Sequence, residues 1–315
     1  MVYVLSLGAA FANALTSVLQ RMGVESAPNA SEMKLSLLTH AVRKGVWLLG
    51  FAVMIASFVF QGVALHIGRL SQVQPILTTE LLFLVVILAV WFRFKVGVKE
   101  WLGAAAAAVG LAGFLTIAEP RGGNRLPTTS EWILTAVLCG VAITIAILLT
   151  RTGPRWWRAA MFGSASAVGF AFTASLTKVV TNYVANDWVT VFRHWETYGL
   201  ATSGVLSVFL AQNAYHAGPI AASQSTIVLL DPLASIFIGI SLFGDQLRTA
   251  GAAGPLEALS LLIMFVGAAS LSRSPLISGM KGDDPQYHEM LSLRGRSYDR
   301  DGPFSHDVIG PSSCA

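Results

Sequence analysis

Residues 64–68 read Ala64-Leu65-His66-Ile67-Gly68, and residues 214–218 read Ala214-Tyr215-His216-Ala217-Gly218. The two stretches lie 150 residues apart, and at the same offset Gln74 matches Gln224. Each begins at the end of one apolar run and passes through a tight turn into the next. Upstream, Thr16-Ser-Val-Leu19-Gln-Arg21 resembles Thr173-Ala-Ser-Leu176-Thr-Lys178 at an offset of 157, because the first loop of the first copy is longer. Downstream, Gly110-Leu-Ala-Gly113 resembles Gly267-Ala-Ala-Ser270. The match around the two histidines carries the duplication, since small-residue matches recur in many membrane helices.

The runs that flank these turns are membrane-like. Of 315 residues, 54% are apolar and 12% charged, against about 25% charged in a soluble domain. Ten of the 38 charged residues fall in 274–315, so the rest of the chain is poorer still. A helix needs about 20 mainly apolar residues to cross the hydrocarbon core. Nine segments qualify: 2–20, 45–65, 70–92, 100–118, 131–150, 157–180, 197–215, 220–243 and 252–271. The fold expected is an all-α polytopic membrane protein of about nine spans. The first run has no basic segment before it and no cleavage site before Arg21, and reads as an uncleaved helix rather than a signal peptide. Residues 33–42 read as a short interfacial amphipathic piece or a tenth, partial span. Trp47, Trp91, Trp101, Trp132, Trp156 and Trp157 fall at span ends, where an aromatic belt is expected.

Lysine and arginine divide unevenly between the two sides that nine spans create. One side carries 15 of them, the other five, and Lys178 is left within span six. The richer side reads as cytoplasmic. The N-terminus is then outside, the C-terminal tail inside, and the protein sits in the plasma membrane. An even number of spans would spoil this count. The tail, 273–315, is rich in Gly, Pro, Ser, Asp and Arg and reads as disordered. Cys139 and Cys314 offer neither a metal spacing nor a disulfide framework. The formal charge of +4 comes without a basic stripe interleaved with aromatics, which excludes nucleic acid as a partner.

The duplication organises the spans. Residues 1–118 form a first repeat of four spans, 119–156 a linking fifth span, and 157–272 a second repeat of four. One extra helix makes the copies cross the bilayer in opposite directions. Inverted repeats of this kind typify transporters with a site near the midplane between the halves.

The layout resembles the drug/metabolite transporter superfamily, EamA-like, and within it the nine-span magnesium-transporter-like branch typified by the NIPA proteins. The residues that carry the resemblance are Trp47-Leu-Leu-Gly50, Met54, Leu70-Ser-Gln-Val-Gln-Pro75, Phe92, Lys99-Glu100, Gly103 and Gly110, then Gln212-Asn213-Ala-Tyr-His-Ala217. It covers about 1–272 and implies a transporter fold without fixing a substrate.

Ionisable groups in mid-span are costly and functional by default. Glu80 lies about ten residues into span three and Asp231 about eleven into span eight. The blander account of each is a carboxyl hydrogen-bonded for packing. Pro232 follows Asp231 and releases a backbone carbonyl one turn upstream, near Val228; Pro75 does the same before Thr78-Thr79-Glu80. A carboxylate beside a freed carbonyl suits a hard cation, so Glu80 and Asp231 are the metal ligands expected of a cation transporter. Asn13, Ser17 and Gln20 share one face of span one. Gln61, Gln74, Gln212, Asn213, Gln224 and Ser225 extend the polar set and point to a wet pathway; the alternative is interhelical hydrogen bonding. Lys178 either snorkels to the outer surface or pairs with Glu80 or Asp231. His66 and His216 are candidate pH sensors, with turn hydrogen bonding as the blander role.

No nucleotide-binding loop and no hydrolase or metalloprotease motif occurs, so neither ATP nor enzymatic chemistry is expected and no cofactor is implied. The function expected is secondary transport of a small solute or ion across the lipid bilayer by alternating access. The alternatives are divalent-cation transport, chiefly Mg²⁺, and a non-transporting scaffold for envelope assembly. A homodimer is compatible with either transport reading.

Overall fold

A computed structural model describes residues 1–25, 45–91, 96–122, 125–248 and 253–274. The interfacial piece expected at 33–42 and nearly all of the tail lie outside the described residues, as do the side chains of Gln20 and Trp47.

The apolar runs become helices. They are α1 (Val2–Glu25), α2 (Gly45–Ile67), α3 (Leu70–Leu77), α4 (Glu80–Val90), α5 (Val98–Ala118), α6 (Thr129–Leu149), α7 (Arg155–Asn186), α8 (Trp195–Ala217), α9 (Ile220–Phe243) and α10 (Ala253–Ser272). Among the described residues, eight stretches are long and apolar enough to cross a membrane, with 70–90 taken as one. The protein is thus an all-α, multi-pass membrane protein. The remaining long helix, α8, has the length, about 35 Å at 1.5 Å per residue. It falls short on apolarity, because Glu196, Gln212, Asn213 and His216 dilute it. The third run is not one helix. It breaks at Thr78-Thr79 into α3 and α4.

The chain alternates between two faces of the bundle. Val2 at the start of α1 packs on Gly68 after α2. On that same N-terminal face, Arg69 Nε donates to the Gly122 carbonyl at 3.0 Å. Two short strands, β1 (Arg121–Gly122) and β2 (Asp245–Gln246), pair there antiparallel, with Arg121 opposite Gln246. This ribbon joins the segment after α5 to the segment after α9. At the far face, Ser274 Oγ donates to Glu100 Oε1 at 3.0 Å, Trp157 Nε1 donates to the Leu149 carbonyl at 3.2 Å, and Gly218 lies against the Arg155 carbonyl.

Packing is led by small residues, as expected where lipid supplies no hydrophobic drive between helices. α5 and α10 approach backbone to backbone. A Cβ on Gly110 would stand 2.6 Å from the Ser260 carbonyl, and one on Gly103 would stand 3.2 Å from the Gly267 carbonyl. Two apolar clusters close the ends. One gathers Ala14, Val18, Leu84, Leu88, Val228 and Leu271. The other gathers Leu65, Leu70, Val73, Trp132, Leu176 and Phe243 nearer the N-terminal face. Trp132 belongs to that second cluster and not to a belt: it is 3% exposed and meets Phe172, Trp195 and Phe243 edge to face. Trp91, Trp101 and Trp156 are exposed at helix ends.

α6 starts cleanly because Thr128 and Glu131 form a reciprocal cap. Its outward side, from Ile133 to Leu149, is largely exposed and apolar, as suits a helix of a multi-pass membrane protein.

Candidate functional site

The break in the third run begins with Pro75, which has no N–H to give the ladder. Three and four residues on, the amides of Thr78 and Thr79 shorten their reach. Thr78 N–H bonds to the Pro75 carbonyl at 3.3 Å and Thr79 N–H to the Ile76 carbonyl at 3.0 Å. The hydroxyls of Thr78 and Thr79 donate to the same two carbonyls, each at 2.7 Å. One tight turn therefore replaces the α ladder, and α4 starts afresh with Glu80 as its first residue. A helix N-terminus carries about half a positive charge, so a carboxylate is favoured there.

Asp231 approaches from the other half of the chain. It sits on α9, which packs on α3, and its Oδ1 accepts from Ser235 Oγ at 3.3 Å. Glu80 is near enough to interact with it electrostatically. Both carboxylates are half-buried. Pro232 does not break α9, which runs unbroken from Ile220 to Phe243. The difference has a local cause: three and four residues after Pro75 stand Thr78 and Thr79, whose hydroxyls take up the carbonyls of residues 75 and 76, whereas the matching positions after Pro232 are Ser235, whose hydroxyl turns to Asp231 Oδ1, and Ile236.

The other expected residues divide. Asn13 is tied into the packing of α1 on α2: its Oδ1 accepts from Ser57 Oγ at 2.7 Å, and its carbonyl accepts from Ser17 Oγ at 3.1 Å. Gln74 is buried one turn before the break, and its Nε2 has no hydrogen-bond partner. Its counterpart Gln224 is also buried, with Oε1 accepting from Tyr215 Oη at 3.0 Å. Gln212 is exposed, and Asn213 Nδ2 donates to the Phe209 carbonyl on its own helix at 2.8 Å. Neither joins the carboxylates. Lys178 does not reach the surface. It is 7% exposed, donates from Nζ to the Gly68 carbonyl at 2.8 Å, and lies 5.0 Å from the centre of the Phe243 ring. His66 is half-buried with Nδ1 unpartnered, His216 is exposed, and the two occupy opposite faces.

Two residues escaped the sequence reading. Thr16 Oγ1 is buried in α1 without a partner, and only its place in the weak Thr16–Arg21 repeat marked it. Asp245, 3% exposed, accepts from Ser71 N–H at 3.0 Å and from Ser71 Oγ at 2.6 Å. It sits in a short segment after α9, where no pattern distinguishes it from a solvated aspartate.

For a metal, the described residues hold no group of three or more His, Cys, Asp and Glu side chains. A divalent ion at Glu80 and Asp231 would complete its shell with water and carbonyl oxygen, as Mg²⁺ commonly does.

No family model matches the chain, and no solved structure matches it. It is similar to an uncharacterized protein of Corynebacterium glutamicum, 24% identical over 249 residues that cover 78% of this chain and 86% of that one.

Proposed function

We propose that the protein is a secondary membrane transporter of the drug/metabolite type, moving a small solute or cation by alternating access. Glu80 and Asp231 are the groups that exchange a proton or cation against substrate. The observation that carries this reading is the broken third run, which sets Glu80 on a half-helix N-terminus within electrostatic reach of Asp231 on α9. A discontinuous helix that presents a half-helix end to its neighbours is how transporters build such sites; here one run is broken and α9, which carries Asp231, is continuous. The packing supports two inverted halves: α1 lies on α2 as α7 lies on α8, α3 pairs with α9, and α5 pairs with α10. Under this reading α8 crosses as well, giving nine crossings, with the N-terminal face outside and the far face cytoplasmic.

The test uses purified protein in proteoliposomes that trap a pH-sensitive dye, challenged with gradients of tetraphenylphosphonium or Mg²⁺. A gradient should drive proton movement, and Glu80→Gln or Asp231→Asn should each cut it at least about tenfold, the effect of removing an exchange group rather than a packing contact. Solute-driven flux that both variants retain would sink the proposal.

A second reading, Mg²⁺ transport, draws on two carboxylates within electrostatic reach of each other in a chain poor in other intramembrane charge. Here the carboxylates are ligands. Direct Mg²⁺ uptake should vanish in both variants, and uptake indifferent to either substitution removes this reading.

A further inference from the structure

We propose that Asp245 and Lys178 form a latch that holds the N-terminal face shut, and that this latch opens in each cycle. The inference rests on the alternating-access reading above and assigns parts to it. α3 begins without a side-chain cap of its own: the residue at its cap position is Arg69, whose side chain caps nothing there. The missing acceptor comes from the other half of the chain. Asp245 takes both the Ser71 amide and the Ser71 hydroxyl, at 3.0 and 2.6 Å. Lys178, also from the second half, holds the Gly68 carbonyl at 2.8 Å, three residues away from Ser71 along the same turn. Asp245 is near enough to Lys178 to attract it. Two opposite charges thus grip one turn, and that turn feeds the broken run which carries Glu80.

Every one of these bonds joins the first half to the second. So does the Arg248 amide on the Ala118 carbonyl at 2.9 Å, and the β1–β2 pairs beside it tie the linking segment to the second half. Halves that rock against each other must part at one face while closing at the other. The N-terminal face cannot open while these bonds stand. At the far face, the side-chain bond between Ser274 and Glu100 joins the segment after α10 to the first turn of α5, and neither partner grips the turn before the broken run. Charged hydrogen bonds in a buried setting are about twice as strong as neutral ones, so the latch biases the protein toward the closed outer face. The Asp245 Oδ1 atom, buried and without a hydrogen-bond partner, shows that the grip is not saturated, as suits a contact that must release.

The test follows the face and needs no substrate. Full-length protein carrying Cys139→Ser and Cys314→Ser is held in nanodiscs, where both faces are accessible. A reporter Val73→Cys, at a position fully buried close beneath Ser71, monitors the N-terminal face. Ala268→Cys, at a position 1% exposed, monitors the opposite half of the bundle. Reaction of Val73→Cys with a membrane-impermeant maleimide should quicken about tenfold in Asp245→Asn and about threefold in Ser71→Ala, the shifts expected from losing a charged and a single hydroxyl hydrogen bond. Ala268→Cys should react at the parental rate in both, and Ser71→Thr, which keeps the hydroxyl, should label Val73→Cys as the parent does. Ser71→Ala leaves the buried carboxylate in place, so it answers the question even if Asp245→Asn fails to fold. Parental rates at Val73→Cys, or an equal rise at Ala268→Cys, overturn the latch. Selective quickening in a protein whose solute flux ignores Glu80 and Asp231 keeps the latch and removes the transport reading instead.

Discussion

Pro75, Thr78 and Thr79 act together on a single turn, and each does a separate part. The proline withholds an amide, and the two hydroxyls satisfy the carbonyls of residues 75 and 76. Pro75→Ala restores an amide at the one place where the ladder lacks it. We expect it to raise thermal stability by about 1–3 kcal/mol, within the cost of an internal helix proline, and to lower solute flux by drawing Glu80 away from the helix start. Unfolding in graded denaturing detergent, run beside the flux assay, checks both. Trp132 offers a second prediction. Its indole meets three other rings, so Trp132→Ala should cost about 3–5 kcal/mol and Trp132→Phe distinctly less; equal losses in the two would refute a packing role. These residues also mark what can be read from sequence one position at a time. Glu80 and Asp231 stood out because charge in an apolar run is expensive, and that expense is visible without a structure. Trp132 was expected in the belt because its position at a span end is all that the sequence displays; its burial depends on Phe172, Trp195 and Phe243 from three other helices. Asp245 was invisible because an aspartate in a loop looks solvated until the amide it caps arrives from residue 71.

Helices are more legible than side chains here, since hydrophobic length alone decides a span. All nine runs became helix, and most ends moved by a few residues. The failure was the third run, where a proline and two threonines read as a kink and produced two helices. The equal treatment of Pro75 and Pro232 missed that the outcome is set by the residues on the C-terminal side of the proline. The pairing of α5 with α10 was likewise hidden in an ordinary-looking scatter of glycines. It yields a sharp prediction. A Cβ at Gly110 would collide with the backbone of Met264 and stand 2.6 Å from the Ser260 carbonyl, and neither atom can move without moving α10. Gly110→Val should therefore cost about 3 kcal/mol or more, at the upper end of overpacking effects, read as a lowered unfolding midpoint. Gly140→Ala on the outward side of α6 meets nothing within 4 Å, and should leave the protein unchanged or slightly stabilised, by up to about 1 kcal/mol.

At the scale of the whole molecule, the two halves meet through unlike surfaces. One is the glycine-lined contact of α5 with α10, which fits too closely to slide. Another is the set of bonds on the N-terminal face, which can break and re-form. Under the alternating-access proposal, the first would serve as a pivot and the second as a gate. The duplication around His66 and His216 suggests two halves, but the close approach of α5 to α10 is not legible in it, because that depends on how close two backbones come. The composition of α8 has a consequence of another kind, for how the chain is made. With Glu196, Gln212, Asn213 and His216 along it, α8 gains little by leaving the translocon for lipid, where each strongly polar residue costs up to about 3 kcal/mol at mid-bilayer. Its neighbour α7 is 32 residues long and packs along it. The two should enter the membrane together as a hairpin, with α7 waiting at the translocon until α8 has been synthesised. Glycosylation mapping of nascent chains would show it: α8 placed alone after a soluble leader should fail to span, and the same segment preceded by α7 should span efficiently.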